Sequence, residues 1–343
     1  QVMTPTGQEA TLAELSFEIL ARRGDIPFEL VDLRMGVNPD DYIDPDQQGQ
    51  TFTFNYERAS QAEEHVLPDG AILLSDCKTI DWQEDTYYVL EEDINSAEQD
   101  CMYFDAQHIT LDCQGNSITG TDLETYQNNN GVVMYINNTV QNCVISGFNN
   151  AIRGGTQGNI LNNVIDGNKD GIKLFTRQKD NDIRGNTIQR NTKTGITIGN
   201  GPNNLVEDNH ILNNGWDGIM VGNGAKDNII ENNEIYNNSR NGIKVNGGSI
   251  ANQLTERNEF TGNIMCRNAL AAQPRNGPGY FDFHCEEHVK STTGDENYAD
   301  DVVGCTRQGH EWPAQNELSR CADIPVPCEL IVPLHGSVTD ECT

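Results

Sequence analysis

Positive charge is scarce in this chain. Its 343 residues hold 22 Lys+Arg against 52 Asp+Glu, a formal net charge of −30. A surface of that sign repels nucleic acid and anionic lipid, so neither is an expected partner. There is also no run of about 18 apolar residues, which a membrane-spanning helix would need, and membrane insertion is not expected. No basic segment followed by an apolar stretch opens the sequence, and Gln1 fits a mature terminus left by signal cleavage. No C-x-x-C occurs among the 10 cysteines, which removes the main support for zinc-ribbon and thioredoxin-like readings.

The cysteines are Cys77, Cys101, Cys113, Cys143, Cys266, Cys285, Cys305, Cys321, Cys328 and Cys342. Their even number predicts disulfides and a secreted or cell-surface location. Cys113–Cys143 is the first expected pair and Cys77–Cys101 the next, with the six C-terminal cysteines pairing among themselves. A competing metal reading rests on His284 and His288, four apart in His-Cys-Glu-Glu-His, which on a helix would share a face.

The middle of the chain carries a repeated phrase: Gly171-Ile-Lys-Leu, Gly195-Ile-Thr-Ile, Gly218-Ile-Met-Val and Gly242-Ile-Lys-Val, with weaker copies at Gly131 and Ala151. Successive starts at 131, 151, 171, 195, 218 and 242 differ by 20, 20, 24, 23 and 24 residues. Fixed periods of this size mark solenoids, and short β-type runs between Gly and Asn punctuation give each period as one coil of a parallel β-helix. A second apolar mark falls at Ile145, Ile165, Ile188, Ile211, Ile235 and Phe260. Two residues before it stand Cys143, Asn163, Asn186, Asn209, Asn233 and Asn258. Three after it stand Asn168, Asn191, Asn214, Asn238 and Asn263. Stacked about 4.8 Å apart, such columns predict side-chain amide ladders. On the Gly-led strand, alternation sends Ile172, Ile196, Ile219 and Ile243 inward and puts Val133, Arg153, Lys173, Thr197, Met220 and Lys244 in an outward row.

Three regions follow. Residues 1–76 lack the repeat; Leu12, Leu15, Ile19 and Leu20 at helical spacing predict an amphipathic helix, so this segment reads as a cap or joining arm. Residues 77–265 are the solenoid, about eight coils and roughly 40 Å long. Residues 266–343 lose the period and hold six cysteines, which predicts a disulfide-braced cap or module.

The opening of the solenoid, Leu111-Asp112-Cys-Gln-Gly115-Asn-Ser-Ile118-Thr-Gly120, resembles the right-handed parallel β-helix repeat proteins of cell surfaces. That group is similar to pectate-lyase-like, NosD-like and carbohydrate-binding or sugar-hydrolase modules. The resemblance covers a little over half the chain and implies the fold more strongly than an activity. It implies that polysaccharide lyase chemistry, if present, would use Arg153 or Lys173 as base, with Asp170 and Asp217 holding calcium against a uronate. Trp216 and Lys244 are then the expected carbohydrate contacts. Against catalysis stand several features. Asp, Asn or Thr before each Gly is what a repeated corner requires. The Gly-His-Gly of β-helix glycosidases and the Asp-Pro-His-Asp of alginate epimerases are absent, and Thr194 occupies the intervening coil where a third acid is needed.

The preferred sequence reading is therefore a non-catalytic, extracellular structural or adhesive rod that self-associates head to tail into filaments. A polysaccharide lyase is the alternative, and NosD-like metal delivery a second one. No cofactor is required. Calcium is the ion that the acidic loop Asp40, Asp41, Asp44 and Asp46 would take, although that loop lacks the EF-hand order. Asn137 and Asn237 each begin a glycosylation acceptor triplet.

Overall fold

The computed structural model describes residues 2–3, 9–10, 67–96, 100–120, 129–222, 224–247, 254–268, 280–286, 289, 293–295, 297–299 and 302–303. The chain divides into two compact units, Gln1–Val66 and Leu67–Thr343. In the first, Val2–Met3 pairs antiparallel with Glu9–Ala10. The expected helix at Leu12–Leu20, the acidic loop Asp40–Asp46, His288 and the last four cysteines lie outside the described residues.

The second unit is built of coils, each contributing one short strand to each of three parallel sheets. The first sheet has ten strands, from Ile72–Leu74 to Thr293–Asp295; the second and third have nine, from Ile94–Ser96 to Tyr298–Ala299 and from Asp100–Tyr103 to Val302–Val303. The sheets thus run past residue 265: the strands Phe283–Cys285, Thr293–Asp295 and Tyr298–Ala299 extend them into the segment without the repeat.

Period-2 alternation inside a closed three-sided coil puts one apolar column per face in the interior. On the second face Ile118, Ile145, Ile165, Ile188, Ile211 and Ile235 are in register, each buried. Met265 follows them, not Phe260. Phe260 belongs to the first face, in register with Ile230. On the third face Ile152, Ile172, Ile196, Ile219 and Ile243 stack, followed by Phe283. Each such side chain contributes roughly 1.5–3 kcal/mol on burial.

The corners explain the asparagines. At the ladder corners between Asn162 and Asn263, one residue takes a left-handed φ and the next is a buried Asn. Asp180, Asn203, Asp227 and Arg257 turn the first corner; Asn162, Gly185, Asp208 and Asn232 the second; Gly167, Arg190, Asn213 and Asn237 the third. Asn, Asp and Gly bear this conformation at least cost, and the side chain that follows is free to bond along the stack. Among the described residues three long ladders form, one more than the spacing predicted. Asn181, Asn204, Asn228 and Asn258 form the first, at 2.8–2.9 Å. Asn163, Asn186, Asn209, Asn233, Asn263 and Asn297 form the second. The third runs through Asn168, Asn191, Asn214, Asn238 and Asn268 and ends on Asp282. Asn258 and Asn263 therefore sit one ladder away from their expected columns.

The repeated glycine has a steric cause. A Cβ at Gly195 would lie 2.7 Å from the carbonyl oxygen of Gly218 and 2.8 Å from Ile211 Cγ2. The neighbouring coil's backbone occupies that space.

The ladders give way to covalent bonds toward the start of the coil stack. Cys143 takes the first place of the second ladder, its backbone N–H donating to Asn163 Oδ1 at 3.0 Å, and is bonded to Cys113. Cys77 is bonded to Cys101. Cys266 and Cys285 are also disulfide-bonded, so all six described cysteines are oxidised. Aromatic side chains fill the same end: Trp82 packs edge-on against Tyr88 and Phe104, with ring centroids 4.6 Å apart in both pairs.

Candidate functional site

The third face carries the outward row that alternation predicted. Tyr103, Val133, Arg153, Lys173, Thr197, Met220 and Lys244 occupy equivalent positions on successive coils. His284 continues the row beside Lys244. Arg153 lies over the Phe175 ring at 4.6 Å and Lys173 over the same ring at 5.6 Å. Phe175 is presented by the turn that leaves the face, and it is 37% exposed. Lys173 Nζ is 3.3 Å from Asp170 Oδ2. At the far end of the row Lys244 Nζ pairs with Glu286 Oε1 at 2.8 Å. Burial pushes the Glu286 carboxyl up, but the Lys244 hydrogen bond and charge and the Gly247 N–H outweigh it, and the group titrates below its ordinary range.

A second column stands at the corner entering this face, two residues before each glycine. Lys193 N–H donates to the Lys169 carbonyl, Trp216 N–H to that of Lys193, and Arg240 N–H to that of Trp216, at 2.7, 3.1 and 3.0 Å. The Trp216 ring has Lys193 Nζ 4.6 Å and Arg240 Cζ 4.1 Å from its centroid, supplied by the coils before and after it. Arg240 also lies 5.6 Å from the Tyr280 ring.

Carboxylates are distributed unevenly over the cations. On the first face and the corner before it, Arg184, Lys226 and Arg257 pair with Glu207, Glu256 and Asp227 at 2.7–3.0 Å. On the third face and the turns entering and leaving it, Arg153, Lys169, Arg177, Lys193 and Arg240 have no carboxylate partner among the described residues. Positive charge is therefore left unneutralised on one side of a strongly acidic chain.

Residues 126–273 match the family model described as a right handed beta helix region. The solenoid is a right-handed parallel β-helix. A pectate lyase, Pel9A, has a similar structure with a TM-score of 0.50 and 14% identity, over 74% of this chain and 71% of that one. The alginate lyase of Paenibacillus sp. str. FPU-7 gives a TM-score of 0.47 and 12% identity, over 67% and 93% of the two chains. The mannuronan C-5 epimerase AlgE4 A-module of Azotobacter vinelandii gives 0.38 and 16%, over 63% and 71%. These likenesses concern the fold. No curated protein matches the sequence.

In the right-handed β-helix the residues expected to form a lyase centre separate into two groups. Arg153, Lys173 and Asp170 adjoin one another. Asp217 does not join them: it is 4% exposed, and its Oδ1 accepts the backbone and side-chain N–H of Asn241 at 3.0 and 2.6 Å. Asp217 closes a corner, in the way Asp100 accepts the N–H groups of Asn130 at 3.0 and 2.6 Å. Asp170 is followed one coil on by Thr194 instead of Asn, and it pairs with Lys173. Trp216 is flanked by cations from both neighbouring coils, and a sugar stacking on it would have to displace one of them.

His284 is the middle residue of the strand Phe283–Cys285, so the helical face invoked for His284 and His288 does not form there. The described residues contain no group of three His, Cys, Asp or Glu able to hold a metal ion. Asn137 and Asn237 are both left-handed corner residues, and Asn137 Nδ2 is 3.1 Å from His108 Nε2. Asp112, in the motif that carries the family resemblance, accepts from Tyr87 Oη at 2.6 Å, from Gln141 and Asn142 side chains and from Gln114 N–H. Its role is to tie three coils together. Lys193, Arg240, Phe175 and Tyr280 were not singled out from sequence. Lys193 and Arg240 share with Trp216 an offset of two residues before the repeated glycine, a signal present in the repeat itself.

Proposed function

We propose that this β-helix recognises an acidic polysaccharide on its third face. One observation carries the reading: a chain of net charge −30 leaves Arg153, Lys169, Lys193 and Arg240 without carboxylate partners on that side. Ionised uronates are repelled by the molecule as a whole, so they bind only where such cations remain unneutralised. Tyr103, Tyr135 and Phe175, exposed at 42%, 51% and 37%, offer apolar ring surface beside the charges, which suits sugar rings more than free anions. Six oxidised cysteines support an extracytoplasmic location, where such polymers occur.

The test is binding of polygalacturonate and alginate against neutral dextran, by calorimetry at two salt concentrations. Acidic polymer is expected to bind, more weakly at high salt, and the paired substitution Arg153→Ala with Lys173→Ala to weaken it about a hundredfold. Equal binding of dextran, or no binding of either acidic polymer, would overturn the proposal.

A second reading adds turnover, and the adjacency of Arg153 and Lys173 favours it. One side chain, as a cation, neutralises the uronate carboxylate while the other, in its unprotonated form, takes the α-proton; the glycosidic C–O bond at the β-carbon breaks, and the departing oxygen takes a proton from water. Unsaturated ends formed by the parent protein and lost in Arg153→Ala would establish it. Binding without product leaves a glycan-binding adhesive rod.

A further inference from the structure

We infer that the corner column Lys169–Lys193–Trp216–Arg240–Tyr280 is a track on which one acidic glycan chain lies parallel to the coil axis. The inference rests on the reading of the third face as a surface for acidic polysaccharide, and it adds the direction and length of the bound segment.

The column is built of consecutive coils, as its backbone hydrogen bonds show. Like charges stacked on neighbouring coils repel one another unless something neutralises them. Lys169 and Lys193 are such neighbours, and no carboxylate of the described residues pairs with either. The aromatic members lie within cation–π distance of the cations beside them. Arg240 lies between Trp216 at 4.1 Å and Tyr280 at 5.6 Å. A guanidinium carries its five N–H donors in one plane, a fork that suits a carboxylate bidentately. Lys193, on the other side of Trp216, presents its ammonium in the same column at 4.6 Å from the ring. From Lys169 to Arg240 is three coil steps, about 14 Å at ~4.8 Å per coil. A polymer with one carboxylate on every sugar, laid along the axis, meets these cations in turn; laid across the axis, it meets one.

The experiment uses a series of oligogalacturonates of increasing length, with affinity and tryptophan fluorescence as readouts. Affinity is expected to climb until the oligomer spans about 14 Å and then to level off. Lys193→Ala and Arg240→Ala should each lower the affinity of long oligomers about tenfold, the size of one charge-assisted contact, and flatten the length dependence. Long oligomers should also change the fluorescence by an amount that Trp216→Phe removes. If alanine lowers the melting temperature, Lys193→Gln and Arg240→Gln serve instead, since they keep the stems.

If polygalacturonate fails to bind the parent protein, the proposed function falls and the track with it. If it binds, and Arg153→Ala weakens binding while Lys193→Ala and Arg240→Ala match the parent, the third-face reading stands and the track is overturned. Affinity independent of oligomer length would overturn it as well. Single-stranded DNA of equal charge binding equally well would overturn the assignment of the track to a glycan.

Discussion

Asn209 donates its side-chain amide to Asn233 Oδ1 at 2.9 Å, and its own Oδ1 accepts both the backbone and the side-chain N–H of Asn186, each at 2.9 Å. The same amide also reaches the carbonyls of Ile183 and Glu207 at 2.9 Å. Asn209→Leu fills similar volume but strands these groups in the interior. A loss of about 3 kcal/mol or more is expected in urea unfolding. Asn209→Asp is expected to cost more, because its carboxylate would face the two carbonyls and Asn233 Oδ1.

Two glycines distinguish contact from conformation. Gly195→Ala places a methyl 2.7 Å from the Gly218 carbonyl oxygen, and a cost of about 1–3 kcal/mol is expected as neighbouring coils shift. Gly167 has φ +67° and nothing within 4 Å of its Cβ direction. Asn213 and Asn237 stand at the same corner on later coils, so Gly167→Asn is expected to leave the melting temperature nearly unchanged.

Cys113 and Cys143 are bonded across 30 residues of chain. Their joint replacement by serine is expected to destabilise the protein by roughly 3–4 kcal/mol, by constraint lost from the unfolded chain. Thiol titration of the denatured, unreduced protein should find none of the six described cysteines reactive.

Glu231 is held above the ordinary carboxylate range, first by burial and then by the charges of Glu207, Glu259 and Asp208. With its folded-state affinity for a proton raised, the stability it permits is complete at pH below the ordinary glutamate range and falls as pH rises through the folded value. Glu231→Gln removes that penalty. The variant is expected to be more stable than the parent at pH 7, by roughly 0.5 kcal/mol, and to match it at pH 3.

The repeat made most of the architecture legible, because coil geometry forces equivalent residues into columns. Ile165, Ile188, Ile211 and Ile235 stack as alternation requires, and the first two disulfides follow from cysteines on adjacent coils. The last coil was misread because Asn-x-apolar recurs every five residues, at Asn181, Asn186 and again at Asn258, Asn263. Asn228 to Asn258 spans 30 residues where Asn204 to Asn228 spans 24. A regular step from Asn233 therefore lands beside Asn258, although its partner is Asn263. The candidate site was half legible. The outward row came from alternation, but the pairing of each charge depends on the residue one coil away. Asp170 and Asp217 occupy equivalent places in the repeat, yet one holds a lysine and the other an asparagine.

The ladders bear on how such a protein changes in evolution. Each asparagine needs only another asparagine above and below, so deleting or duplicating a whole coil between Asn186 and Asn233 leaves every remaining amide with a partner of the same kind. Length is thus a free variable of this architecture, adjustable in units of one coil, while the cysteines at the start of the stack stay where they are. A surface of cations running along the axis would lengthen by the same unit, so the span of polymer it grips would be set by gene duplication and need no new contact.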